Sequence, residues 1–292
     1  MNLATERIKY VIAVIIYGTI GLFLRYVSLP SEFVAMCRGT IGAIFIILYQ
    51  RSKNQKIDFS SIRKNLKWLI LSGIMLGLNW VFLFAAYMET TVAVASLCNY
   101  MAPMIVIIIA PAVLREKLEI KKLPCVAAAF VGIILVSGVW HVGIGNISGV
   151  FLGLAAAFCF VIIVICNRKI SGISAFDKAW FQLALSSVTI LPYFLIKNRG
   201  ISLDWDVKSL LIVLLLGVFH TGFAYCLYFS GMGTLPVQTV AVLGYLEPVV
   251  SVLCSVIFLH EYMDIFGWLG AVLIIGAAVV SELLSDKKEL KR

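Results

Sequence analysis

A motif that occurs twice, about 145 residues apart, is the feature that most constrains the fold of this chain. The first copy reads Tyr100-Met-Ala-Pro103 and is followed by Leu114-Arg-Glu116. The second copy reads Tyr245-Leu-Glu-Pro248 and is followed by Leu259-His-Glu261. The spacings from Tyr to Pro and from Pro to Glu are the same in both copies. The sequence therefore predicts a chain that arose by internal duplication.

Both copies of the motif lie in long apolar segments. The hydrophobic share of the 292 residues is 62%, the charged share is 13% and the mean hydropathy is +1.02, whereas roughly 25% of the residues in soluble domains are charged. A helix that crosses a bilayer needs roughly 20 mostly apolar residues. Ten segments fit this requirement: 8–27, 33–49, 66–88, 92–113, 119–138, 148–168, 175–196, 207–230, 236–259 and 263–284. The remainder is too short for a soluble domain of useful size.

The basic residues indicate how these segments are oriented. Of the 24 lysines and arginines, all but five lie in the termini and loops that face the cytosol when the N-terminus does. The five exceptions are Arg38, within a segment, and Arg25, Lys197, Arg199 and Lys208 on the outer side. This asymmetry is the positive-inside pattern. It predicts that both termini are cytosolic, and it accounts for the net charge of +9 without a nucleic-acid partner.

The number of segments in each copy, five, has a geometric consequence. Because five is odd, the second copy enters the bilayer from the opposite side, so that the copies become inverted repeats with a substrate site near the midplane. The predicted fold class is an all-α membrane protein of ten transmembrane helices. We expect a first five-helix repeat at 1–140, an inverted second repeat at 148–284 and a cytosolic basic tail at 285–292. Solute transport by alternating access is the function that this architecture favours.

These residues resemble those of the drug/metabolite transporter (DMT) superfamily, and most closely its EamA family. The resemblance covers the whole chain and is carried by the repeated Pro that precedes a Glu by about thirteen residues, by Arg38 and by the five-plus-five arrangement. Similar proteins usually have Gly where Arg115 and His260 stand, and often Trp-Gly where Tyr17-Gly18 stands. The resemblance implies a carrier in the plasma membrane that moves a small metabolite, such as an amino acid, with export as the favoured direction.

Glu247 is the leading candidate for a substrate contact. An ionisable side chain at membrane depth costs roughly 2.5–3.5 kcal/mol on insertion scales. Glu247 lies within a segment beside Pro248, which is predicted to kink the helix. Its carboxylate could bind an ammonium group or carry a coupling proton, and a structural hydrogen bond is the alternative. The aligned residue of the first copy is Ala102, so this carboxylate breaks the symmetry of the repeat.

Other polar and aromatic side chains within the segments complete the candidate site. Arg38 could clamp a carboxylate or phosphate, or pair within the bundle. Three further candidates could contact substrate or form hydrogen bonds between helices, namely Asn79, Asn99 and His220. The resemblance places five aromatic candidates in segments that line the cavity: Tyr17, Trp80, Tyr100, Tyr225 and Tyr245. Glu116 and Glu261 lie at segment ends, where we expect capping or gating residues.

The sequence argues against an enzyme. The run His260-Glu261-Tyr-Met-Asp264 lacks the second histidine of a zinc protease, and neither a nucleotide-binding loop nor a serine-hydrolase elbow is present. We therefore predict no cofactor and no metal site. The expected partners are a small-molecule substrate, the lipid bilayer and, as a candidate coupling ion, the proton. A uniporter or importer of a cationic amine, a channel and a non-transport membrane protein stay open as alternatives, and the sequence does not indicate an oligomeric state.

Overall fold

The fold is described by a computed structural model of residues 3–114, 120–136, 147–198, 206–232, 235 and 243–289. Within these ranges, every regular element is helical. The first half contains α1 (Leu3–Gly18), α2 (Ile20–Leu24), α3 (Ser31–Ser52), α4 (Phe59–Lys64), α5 (Leu66–Glu89), α6 (Val92–Asn99), α7 (Ala102–Leu114), a 3-10 turn (Ile120–Lys122) and α8 (Leu123–Val136). The second half contains α9 (Ile147–Lys169), α10 (Ala175–Lys197), α11 (Val207–Gly217), a π-helix (Val218–Phe223), α12 (Ala224–Met232), α13 (Leu246–Phe258) and α14 (Ile265–Glu289).

Many of these helices are long and apolar enough to cross a membrane. By length and composition, seven stretches of the described chain qualify: Leu3–Leu24, Ser31–Ser52, Leu66–Glu89, Val92–Ile109, Ile147–Lys169, Ala175–Lys197 and Val207–Tyr228. Two shorter apolar helices, Leu246–Phe258 and Ile265–Ser281, follow them. The all-helical membrane class is confirmed, while the ten crossings and the cytosolic termini stay predictions. Glu116 and most of the loop at 139–147, which joins the two repeats, lie outside the described residues.

The helices of the two halves pack with exchanged partners. Helix α1 packs against α12 and α13, while α9, at the equivalent place in the second repeat, packs against α5 and α6. Helix α3 packs against α11 and the π-helix, and its counterpart α10 packs against α5. Two contacts join equivalent helices directly, α3 with α10 and α8 with α14, and α13 packs against α6, the helix that precedes its own counterpart α7. The two halves are therefore interleaved.

Two buried carboxylates fasten α3 to α10 at opposite ends of the pair. Glu32, at the start of α3, accepts a hydrogen bond from the Asn198 amide at 2.9 Å and pairs with the Lys197 ammonium at 3.3 Å. Asp177, near the start of α10, accepts one from the Gln50 amide at 2.9 Å. Buried carboxylates need such partners. The two carboxylates lie near equivalent places, each in the first turn of its helix, so similar contacts hold the two ends of the pair.

The repeated prolines lie in first helical turns, and the predicted kink is a break between helices. Helix α6 ends at Asn99, and Pro103 is the second residue of α7. Pro248 is the third residue of α13. Proline is tolerated at these positions because the first N–H groups of a helix have no intrahelical acceptor. Tyr100 and Glu247 therefore lie beside helix starts, where their side chains can meet other helices.

Candidate functional site

Glu247 lies in the first turn of α13, where the helix dipole favours a carboxylate. The Tyr100 hydroxyl donates a hydrogen bond to this carboxylate from the break between α6 and α7. The Arg38 guanidinium, on α3, is close enough to interact with it electrostatically. The Glu247 side chain keeps part of its surface exposed. Three candidates from different helices therefore converge on one place.

Tyrosine rings form much of the surroundings of Glu247. The Tyr17 ring centroid lies 5.8 Å from that of Tyr225 and 5.8 Å from that of Tyr228. The Tyr10 centroid lies 5.0 Å from that of Tyr228. The Tyr17 hydroxyl is buried and has no hydrogen-bond partner among the described residues. Because an unpaired buried hydroxyl is costly, a bound molecule that offered a partner would be favoured here.

The Arg38 guanidinium is buried between aromatic rings and a hydroxyl. Its central carbon lies 4.5 Å from the Trp80 ring centroid and 6.0 Å from that of Phe84, as in cation–π contacts. Its Nε donates to Thr221 Oγ1 at 2.6 Å. Within the described part of the chain, neither terminal nitrogen has a hydrogen-bond partner and Arg38 forms no ion pair. Two parallel N–H groups of this kind match the oxygens of a carboxylate.

Thr221 is placed by an irregular turn in the helix that carries it. The π-helix Val218–Phe223 separates α11 from α12. The Thr221 hydroxyl donates to the Leu216 carbonyl, five residues earlier, at 2.8 Å. Its oxygen is then oriented to accept from Arg38. Single π turns are common at functional sites, and this one fixes the direction of the guanidinium.

We predict that Thr221→Val weakens substrate binding without unfolding the protein. Loss of one hydrogen bond to a charged group should raise the substrate concentration for half-maximal transport by about tenfold. Thr221→Ser keeps the hydroxyl and should transport like the wild type. Flux of a transported solute into proteoliposomes, measured over a concentration series, checks both variants. A normal half-maximal concentration in the Val variant, or an equal defect in the Ser variant, would contradict a positioning role.

His220 makes contacts between helices. Its Nε2 lies 2.9 Å from the Thr19 hydroxyl, and its Nδ1 lies 3.4 Å from the Leu215 carbonyl oxygen. The ring is 1% exposed and packs edge-on against Phe23 at 5.1 Å between centroids. Both ring nitrogens thus have protein partners in this arrangement. His220 adjoins the Arg38 group, and these contacts fit the structural alternative.

Asn79, Asn99 and Tyr245 lie apart from the Arg38 contacts. The Asn79 amide donates to the Ala156 carbonyl at 2.8 Å and to Asn99 Oδ1 at 3.1 Å. These bonds join α5, α9 and the end of α6, as amides between membrane helices often do. Tyr245 is 7% exposed and packs in the apolar cluster that contains Leu97 and Ile274. Tyr100 and Tyr245, the tyrosines of the two motif copies, therefore lie in different environments.

Gln182 occupies the repeat position that corresponds to Arg38, and its side chain is hydrogen-bonded to neighbouring side chains. Gln182 donates to the Ser72 hydroxyl at 2.6 Å and to Asn167 Oδ1 at 3.0 Å. The Gln182 side-chain nitrogen is therefore engaged by protein oxygens, whereas the terminal nitrogens of Arg38 have no such partners within the described residues. The asymmetry seen in the sequence is thus accompanied by different bonding at the two positions.

Sequence reasoning missed Thr221, Tyr10 and Tyr228. The two tyrosines had a detectable signal, since Tyr10 precedes Tyr17 by seven residues and Tyr228 follows Tyr225 by three, which places each pair on one helix face. Thr221 had none. A threonine in a membrane helix commonly bonds to its own backbone, and the π turn that redirects it is not visible in the sequence.

Comparisons with known proteins point to one family. The sequence profile described as the EamA-like transporter family matches residues 8–138 and 147–282. Among similar proteins, Uncharacterized transporter YxxF of Bacillus subtilis is 25% identical over 93% of this chain and 87% of its own length. An Uncharacterized transporter of Archaeoglobus fulgidus is 25% identical over 93% of this chain and 94% of its own. A crystal structure with 20% identity covers 96% of this chain and 98% of its own, with a TM-score of 0.68, which supports the fold.

Proposed function

The chain belongs to the EamA-like transporter family, and from this premise we propose that it carries a small zwitterionic metabolite, such as an amino acid, across the plasma membrane. The family and the named relatives identify a multi-pass membrane transporter. Our proposal adds the substrate class, alternating access as the mechanism and export as the direction. It assigns the substrate carboxylate to Arg38 and the substrate ammonium group to Glu247.

The observation that carries this proposal is a pair of opposite charges, Arg38 and Glu247, that lie near each other without forming an ion pair in the described part of the chain. Arg38 and Glu247 interact electrostatically, yet they form no direct ion pair within the described residues. A zwitterion placed between them would satisfy both groups, because its carboxylate matches the free guanidinium edge and its ammonium group matches the carboxylate. The surrounding tyrosines add hydroxyl donors and aromatic faces, which suit the carboxylate and the cationic group respectively.

Alternating access is supported by the way the halves interlock. The exchange of packing partners between α1 and α9, and between α3 and α10, fits inverted repeats related by an axis in the membrane plane. The similar attachments at Glu32 and Asp177, each in the first turn of its helix, fit the same relation. In inverted-repeat carriers, one set of helices rocks against the other around a fixed midplane site. The proposed binding groups lie on helices of both halves, as such a motion requires.

The test is the flux of three related solutes into proteoliposomes. The three solutes are an amino acid, the related amine without the carboxylate, and the related carboxylic acid without the ammonium group. Wild-type protein should transport the amino acid faster than either of the other two. Arg38→Lys keeps the positive charge but loses the two-pronged geometry, and we expect amino-acid flux at low concentration to fall by about tenfold or more. Arg7→Lys, the same change at an exposed position, serves as the matched control. Undiminished amino-acid flux in Arg38→Lys would refute the assignment.

A cationic amine is the second candidate substrate. Glu247 and the tyrosines near it would bind an ammonium group without help from Arg38. Under this alternative, the amine alone is transported as fast as the amino acid, and Arg38→Lys leaves its flux unchanged. The three-solute comparison therefore separates the two substrates with one set of measurements.

A further inference from the structure

Helices α6 and α13 are joined by polar contacts at one-turn intervals. We call this set the polar ladder. Its first rung is the bond from Tyr100 to Glu247, and its second is the contact of the Ser96 and Ser251 hydroxyls at 2.6 Å. The contributing positions are spaced by four residues on each helix: Val92, Ser96 and Tyr100 on or beside α6, and Glu247, Ser251 and Ser255 on α13. A spacing of four places them along one helix face.

Glu261 forms the last rung, at the end of the bundle where α6 begins. Its Oε2 accepts the Val92 N–H at 2.9 Å and a hydrogen bond from the Ser255 hydroxyl. The chain reaches this position through His260, whose φ is +52°, and the Glu261 N–H then bonds to the Ser255 carbonyl at 3.1 Å. The carboxylate thus caps the first turn of α6 from a distant part of the chain.

Arg25 joins the end of α2 to this rung. Its Nη2 donates to Glu261 Oε1 at 2.8 Å and to the Thr90 carbonyl at 2.7 Å. The contact therefore ties together three places at this end of the protein: the end of α2, the turn between α5 and α6, and the chain that follows α13. We call Arg25, Glu261 and the bonded backbone of Thr90 and Val92 the Arg25 latch.

The Arg25 latch is bonded but incompletely satisfied. The Glu261 side chain is 14% exposed and that of Arg25 is 29% exposed, so the ion pair is stronger than one fully in water. Arg25 Nε and Thr90 Oγ1 are buried and have no hydrogen-bond partner among the described residues. Buried unpaired groups lower the stability of the closed arrangement. The ion pair holds the contact closed, and the unpaired buried groups limit its stability. This combination suits a closed state that must open again.

From this geometry we infer that the polar ladder and the Arg25 latch form a gate that closes the Arg25 end of the protein over Glu247. The inference rests on the proposed function, because a gate presupposes a site that is reached in turn from each side. The ladder runs from Glu247 to the surface, and each rung joins a helix of one half to a helix of the other. Opening toward this surface requires α6 and α13 to part, so the structure represents a state closed at this end.

Accessibility of a reporter cysteine at position 96 tests the gate without measuring transport. Ser96→Cys places a thiol of similar size on the second rung, and the chain with its seven native cysteines supplies the background. Tyr262→Cys identifies the membrane face of the Arg25 end, since Tyr262 is 88% exposed there. A membrane-impermeant thiol reagent is applied to whole cells and to inverted vesicles, and the modification rate of position 96 is measured from each side.

Glu261→Gln, combined with the reporter, should raise the modification rate from the face that labels position 262. We expect a rise of about tenfold, as for the loss of one charge-assisted hydrogen bond, and no rise from the other face. Glu32→Gln is the matched control, because it removes an ion pair of a buried carboxylate at the same end, one that joins α3 to α10 instead. Its rate should equal that of the reporter alone.

Three outcomes would overturn the gate. These are an unchanged rate in Glu261→Gln, an equal rise in Glu32→Gln, or a rise from the opposite face. Arg25→Gln removes the ion pair while leaving the Val92 cap, and it carries the same test if Glu261→Gln does not insert into the membrane. A positive accessibility result together with absent amino-acid flux would reject the proposed substrate and leave the gate intact, so the two failures are distinguishable.

Discussion

Glu247→Gln is expected to lower amino-acid flux into proteoliposomes by about 10- to 100-fold, as for the loss of an ionic hydrogen bond of about 1.5–3 kcal/mol. Glutamine has nearly the same shape and keeps an oxygen that can accept the bond from the Tyr100 hydroxyl. The change therefore removes the negative charge that we assign to the substrate ammonium group and leaves the local packing in place. Initial rates measured at a substrate concentration below half-saturation report this loss.

Glu89→Gln is the matched control for this experiment. Glu89 is an exposed carboxylate at the end of α5 that accepts a hydrogen bond from the Ser148 hydroxyl at 3.1 Å. Its neutralisation should leave flux within the scatter of the wild type, because exposed polar contacts contribute little. Equal flux in Glu247→Gln and in the wild type, with the same dependence on pH, would remove Glu247 from the mechanism.

A pH gradient separates two roles of the same carboxylate. Should Glu247 carry a coupling proton, an imposed gradient accelerates wild-type flux, and Glu247→Gln responds to substrate gradients alone. Should it bind only the ammonium group, the variant loses flux at every pH and the wild type is not driven by the proton gradient. The same liposomes, prepared with and without the gradient, distinguish these cases.

The sequence predicted the helical membrane fold because both of its signals act over long stretches of chain. Apolar length and the repeat motif are each averaged over many residues, so local irregularities do not obscure them. Helix breaks are harder to predict. The separation of α6 from α7 follows from the position of Pro103, which has a sequence signal, whereas the π-helix Val218–Phe223 has none. Irregular turns of this kind depend on contacts with neighbouring helices.

His260 differs from the residue that similar proteins usually have, and its backbone conformation explains why glycine is usual at this position. The residue stands where the resembling family usually has glycine, and its φ of +52° lies in the left-handed region that favours glycine. The sequence alone indicated the difference but not the conformation. The structure explains the preference, since the left-handed turn is what directs Glu261 back toward Ser255.

The candidate site was predicted in part for a related reason. Glu247, Arg38, Tyr100, Tyr17 and Trp80 were recognisable because charged groups and aromatic pairs in apolar segments are conspicuous. Whether such a group faces a substrate or another helix depends on the register between helices, which one sequence does not encode visibly. His220 and Asn79 illustrate the point, because their partners Thr19 and Ala156 are far away along the chain.

Gly18 is the position where the fold and the proposed site depend on each other most directly. Helix α1 crosses α13 at this residue, and a β-carbon added to it would lie 2.6 Å from Val250 Cβ and 2.7 Å from the Glu247 carbonyl oxygen. Both distances are too short for real contacts, and the carbonyl belongs to backbone that cannot rotate away. Gly18→Ala must therefore push α1 and α13 apart.

We expect Gly18→Ala to lower the stability of the detergent-solubilised protein by about 1–3 kcal/mol, the usual cost of overpacking, and to reduce transport strongly. Transport suffers because Tyr17, the preceding residue, would move with α1 relative to Glu247 and Tyr225. Gly276→Ala is the control, since its added β-carbon would meet no atom of the described residues within 4 Å and alanine favours a helix. It should be neutral or stabilising by up to about 1 kcal/mol. Thermal unfolding and flux measured on both variants decide the matter, because equal behaviour would mean that the close crossing of α1 and α13 does not position the site.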